Sequence, residues 1–230
     1  MLVKFYEIST KAFLRNYLII IFLLLCLSLF QYFLSLKGFA TERILNLFNL
    51  NEESNIPTFF SALGLLLSSL LSFIIFTKDK TKSSLKKFWL TISIIFVYLS
   101  LDEIAMFHEK IYRISNFLNV HFGLPLVWYA PYSVFLLFLF IFLIRDLLKL
   151  TKKTRVRFFL SFLIYFFGAV ILEHIGNNCY FAVFSCSSTL KFLIYNLEEV
   201  LELVGICIFN YFLLKELNEN SKKLRLEIHI

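Results

Sequence analysis

Residues Phe88–Lys110, FWLTISIIFVYLSLDEIAMFHEK, decide the fold. From Phe88 to Leu99 the run is uncharged and already forms most of a membrane helix. It then continues into Asp102, Glu103, His108 and Glu109. An ionised Asp at the centre of a membrane helix costs roughly 2.5–3.5 kcal/mol, so such residues mark places where a membrane protein binds or moves something. Two later apolar segments carry the same oddity, Glu173-His174 and Glu198-Glu199-Val200-Leu201-Glu202.

Working outward, the whole chain has this character. Of 230 residues, 59% are hydrophobic and 19% aromatic, and the mean hydropathy is +0.78. A soluble domain is typically about 45–50% apolar. The expectation is an all-α, polytopic transmembrane helix bundle, a single integral membrane domain over residues 1–230. Its six spans lie near 16–36, 58–77, 88–111, 125–148, 158–175 and 192–214. The apolar run after Lys4, Lys11 and Arg15 is too long for a secretory signal core and has no small-x-small cleavage site after it, so it reads as the first span. Pro131 is expected to kink the outer half of the fourth span. Thr41-Glu42 is expected to cap a short interfacial helix bearing Ile44, Leu45 and Phe48, followed by a polar turn at Asn51–Asn55.

The net charge of +7 does not call for a nucleic-acid partner, because the basic residues flank apolar runs and orient them. Eighteen Lys and Arg fall on the N-terminal segment, the second-to-third and fourth-to-fifth connections and the tail. Five fall on the alternate side: Lys37, Arg43, Lys110, Arg113 and Lys191. This alternation places both termini in the cytoplasm.

With that orientation, the acids share a level. Asp102 lies roughly 21 Å along the third span, Glu173 roughly 22 Å along the fifth, and Glu198 about 21 Å from the inner end of the sixth. Helical angles put Asp102, Glu109 and Tyr98 on one stripe, with Glu103 and His108 turned away. On the sixth span Glu198 and Glu199 flank Glu202, with Tyr195 on that face. The third, fifth and sixth spans are therefore expected to be neighbours around one outward-facing site, with the first and fourth peripheral.

Seven carboxylates ionised and unpaired would cost on the order of 20 kcal/mol. The site must therefore hold protons, water or a cation. Carboxylates with an imidazole suit a divalent Zn, Mn or Fe. Asp102, His108, Glu109, Glu173, Glu198 and Glu202 are the candidate ligands, and Glu103, His174, Glu199, Tyr98 and Tyr195 the secondary candidates. The leading expectation is a metal-dependent membrane hydrolase acting on a lipid or amphiphile. A metal-bound water would be its nucleophile, since no Ser or Cys sits in a nucleophile motif. The rival classes are a proton- or cation-coupled transporter using the acids as a relay, and a structural protein whose protonated acids fix the bundle. The expected partner is the bilayer. Cys179 and Cys186 form a possible disulfide in an oxidising compartment.

Three resemblances rest on particular residues. Leu101-Asp102-Glu103 followed by His108-Glu109, with Glu198-Glu199-x-x-Glu202 and Asn55-Ile56-Pro57-Thr58-x-Phe60-Ser61, resembles a pattern in uncharacterised multi-pass bacterial membrane proteins. That resemblance implies a bacterial cytoplasmic membrane and no particular activity. Leu101–Met106 is similar to a segment of the alkaline ceramidases, zinc-dependent membrane amidases, but their C-terminal His-x-x-x-His is absent here. The tandem Glu198-Glu199 resembles the pair of the glutamate intramembrane proteases, without their following histidine motifs.

Overall fold

The structure, a computed structural model, describes residues 5–7, 9–39, 46–78, 83–107, 110, 117, 129–180, 185–220 and 225–227. The helices are α1 (Thr10–Leu36), α2 (Ile56–Lys78), α3 (Ser83–Ala105), α4 (Tyr129–Leu147), α5 (Lys152–Phe166), α6 (Glu173–Tyr180) and α7 (Ser188–Asn220). A π-helical segment, Phe167–Leu172, joins α5 to α6 in one rod. Side chains cap the helix starts as their sequence invites. Ser9 Oγ accepts from Ala12 N–H, Asn55 Oδ1 from Thr58, Thr151 Oγ1 from Thr154 and Ser187 Oγ from Leu190.

Among the described residues, four helices are long and apolar enough to cross a membrane: Thr10–Leu36, Ile56–Lys78, Leu85–Ala105 and Lys152–Cys179. Large apolar side chains stand exposed along them, among them Phe22 and Phe30 on α1 and Phe159 on α5. A water-facing surface would not carry so many, whereas lipid welcomes them. Helix association must then come from close packing and polar contacts. On α2, Ser61, Ala62, Gly64, Ser68, Ser69 and Ser72 are buried. Ser68 Oγ meets Asn210 Oδ1 at 2.9 Å, Asn210 Nδ2 donates to Gly64 O at 2.9 Å, and Ser69 and Ser93 hydroxyls lie 3.1 Å apart. Ser100 Oγ donates to Ala62 O at 2.8 Å, tying the C-terminal half of α3 to α2.

The longest helix, α7, is the centre. It packs against α1, α2, α5, α6 and the π segment, and α3 packs against α2 and α4. Rings bring α3 to α7 and α5, with Phe96 stacked on Phe209 and Phe88 against Phe158. The third, fifth and sixth apolar segments thus adjoin. The first is not peripheral, since Tyr17, Ile21 and Leu24 of α1 share a core with Leu203 and Cys207 of α7.

Two local expectations change, and a third is untouched. The third helix ends at Ala105, not near Ile111, because Met106 takes φ 53° and leaves the helical path. In α4, Pro131 is the third helical residue, so its missing N–H falls among the first-turn donors that have no helical partner anyway. The interfacial helix expected at Thr41–Leu45 lies outside the described residues. One feature was not foreseen in an all-α chain. Phe5–Glu7 pairs antiparallel with Arg225–Glu227, with Phe5 opposite Glu227, so both chain ends lie at the same end of the bundle.

Candidate functional site: a carboxyl cluster around α7

Glycine sets the closest approach in this part of the bundle. A Cβ on Gly168 would lie 2.8 Å from the Glu198 carbonyl oxygen and 3.2 Å from the Glu202 nitrogen. The π segment therefore runs directly against the backbone of α7. Its wider turn delivers Glu173, the first residue of α6, onto Glu198. The two carboxyl groups share a hydrogen bond, which requires a proton on one of them. Asn177 Nδ2 holds Glu173 Oε1 at 2.9 Å from one turn further on. Glu198 is 6% exposed, and its Oε2 is buried with no hydrogen-bond partner among the described residues.

Glu202, one turn below Glu198, lies within electrostatic reach of both Glu198 and Glu199. Glu199 lies within electrostatic reach of Glu202, of Glu103 of α3, of Glu53 in the loop that precedes α2, and of Glu173. The carboxyls therefore gather around one stretch of α7, with Glu202 in reach of both Glu198 and Glu199. Among the described residues, the charged groups that bear on Glu198 and Glu199 are all carboxylates. Counted from the helix ends at Ser83, Lys152 and Asn220, the acids Glu103, Glu173 and Glu199 each stand roughly 30 Å along, at one level.

The other candidates are distributed as follows. Asp102 is 5% exposed, with Tyr98 within electrostatic reach on the same helix. Glu103, rather than Asp102, is the α3 acid that bears on Glu199. His108 and Glu109 lie outside the described residues. His174 is exposed, its ring 3.0 Å from Asn178 Nδ2. The Tyr195 ring lies over Gly176, where a Cβ would come within 2.7 Å. Cys179 and Cys186 are joined, with Cα atoms 5.4 Å apart, and link the end of α6 to the approach to α7. Among the described residues, no three His, Cys, Asp or Glu side chains form a group that could hold a metal ion. No metal-based step is derived from them.

Sequence reasoning passed over Glu53 and Gly168. Glu53 sits in a polar turn with no periodicity to point it inward. The available signal was Leu50, an apolar residue lodged in that turn. Gly168 was signalled only by being a small residue, five positions before a membrane acid.

The sequence pattern of a family described as a domain of unknown function (DUF8692) matches residues 17–216. No curated protein and no solved structure matches the chain.

Proposed function

We propose that this chain, which belongs to the DUF8692 family, is a proton- or cation-coupled membrane transporter whose carboxyl cluster around α7 is the relay. The observation that carries the reading is the hydrogen-bonded pair Glu173–Glu198, with a second, unpartnered oxygen on Glu198. Adjoining carboxyls in a low-dielectric bundle cannot all be charged at once. Gaining or losing a proton or cation there changes the energy of the whole cluster, which is what a coupling site needs. Glu202, within reach of both Glu198 and Glu199, supplies a path between them.

The reading includes six spans in a bacterial cytoplasmic membrane, with α4 and α7 joining the four helices already found long and apolar enough to cross. Both termini are cytoplasmic, which puts the cluster and the disulfide toward the outside. The basic-residue alternation and the pairing of the two chain ends support this. Single cysteines in a background without native cysteines test it. Asn51→Cys and Ser187→Cys should label from outside intact cells, and Ser83→Cys and Asn220→Cys should not. Labelling of Ser83→Cys would invert the topology.

Infrared spectroscopy tests the relay. The wild-type protein should show a protonated-carboxyl C=O band at neutral pH that Glu198→Gln removes. A band unchanged by Glu198→Gln, or absent from the wild type, would overturn the assignment. Glu198→Gln should also abolish function in a complementation assay. Elemental analysis separates the rival, since stoichiometric Zn, Mn or Fe would restore the metal-dependent hydrolase acting on a lipid.

A further inference from the structure

The connection between α1 and α2 dips into the bundle instead of running over its surface, as polar loops usually do. Leu50 is 3% exposed and packs in the core that joins Ile21 and Leu24 of α1 to Leu203 of α7. Its N–H donates to Ser28 Oγ at 3.3 Å, and that hydroxyl donates to Asn196 Oδ1 of α7 at 2.7 Å. The loop keeps its own shape. Asn55 Nδ2 donates to the carbonyls of Asn46 at 3.0 Å and Asn49 at 2.6 Å, and Ser54 adopts φ 60° to turn the chain into α2. With Leu50 seated, Glu53 reaches Glu199, and its Oε2 is buried.

A carboxylate on a loop, seated against fixed acids, responds to their charge. Among the described residues it bears on Glu199, which is itself within electrostatic reach of Glu202 of α7, Glu103 of α3 and Glu173 of α6, and so belongs to one set with Glu198. When they hold protons or a cation, Glu53 docks with little repulsion. When they are empty and charged, repulsion works against the seating of Leu50. We infer that Asn46–Asn55 is an outer cap, with Glu53 as its sensor, that closes over the acid cluster when it is loaded and loosens when it is empty. This inference rests on the relay reading above.

Amide hydrogen exchange of the full chain in a bilayer disc tests the cap. Leu50–Glu53 is followed in wild type, Glu53→Gln and Leu50→Ala, compared at equal pH so that intrinsic exchange chemistry cancels. Protonation favours docking, so protection should fall as pH rises. From mildly acidic to mildly alkaline buffer, wild type should lose about tenfold or more protection relative to Glu53→Gln, the scale of one charge pair in a partly desolvated site. Leu50→Ala should exchange fast at every pH. A wild-type to Glu53→Gln ratio that stays flat, or a protected loop in Leu50→Ala, overturns the cap. If the Glu198 infrared band persists while the ratio is flat, the cap alone fails; if the band is absent, the relay fails with it.

Discussion

Replacing Gly168 by valine should push the π segment off α7 and separate Glu173 from Glu198. The first added carbon would already stand 2.8 Å from a backbone oxygen and 3.2 Å from a backbone nitrogen of α7. Neither atom can move without carrying the helix, unlike the end of a flexible side chain. Overpacking of this kind typically costs about 1–3 kcal/mol, and valine adds two methyls beyond that carbon, so a loss of about 3 kcal/mol is expected. Denaturant unfolding in mixed micelles measures it, with Ile171→Val, at an exposed position, as a near-neutral control. The same variant should remove the Glu198 carboxyl band. A stable Gly168→Val protein that retains the band would mean that close approach at Gly168 does not form the pair.

The level of the acids was readable in the sequence because height along a helix is linear in residue number. Starting the helices at Ser83 and Lys152, and ending α7 at Asn220, moves the absolute depth but keeps Glu103, Glu173 and Glu199 level. Direction was less readable. A wheel of 100° per residue assumes an unbroken α-helix, and two breaks defeat it here. The π segment changes the phase ahead of Glu173, and Met106 ends α3, so the wheel cannot be carried past Ala105. Neither break has a proline or a run of glycine to announce it. The choice between Asp102 and Glu103 depends on which neighbour each meets, and that neighbour includes a loop. Glu53 was out of reach for the same reason, since the seat that Leu50 finds between α1 and α7 exists only once both helices are packed.

Near the Lys152 end of α5 the same two helices are held by charge instead of glycine. Arg157 of α5, 8% exposed, lies 3.8 Å from Glu216 of α7. Thr154 Oγ1 donates to Glu216 Oε2 at 2.8 Å, and the guanidinium stands 5.7 Å above the Phe212 ring. Removing one member of a buried pair costs about 3–5 kcal/mol, because the other charge stays buried. Glu216→Leu should therefore lower stability by about 3 kcal/mol, toward the low end because the ions are not in tight contact. Arg157→Leu with Glu216→Leu should recover most of that loss, since an apolar replacement of both charges is often neutral. Unfolding of the two single variants and the double variant closes the cycle. A near-neutral Glu216→Leu, or a double variant no better than the single, would show that α5 and α7 do not depend on this pair. If the cycle closes as expected, α5 and α7 are anchored at one end by the ion pair and beside the cluster by Gly168. The anchors hold the Glu173 and Glu198 backbones in place, so a change of protonation is left to act on the groups free to respond, the carboxyls and the loop that carries Glu53.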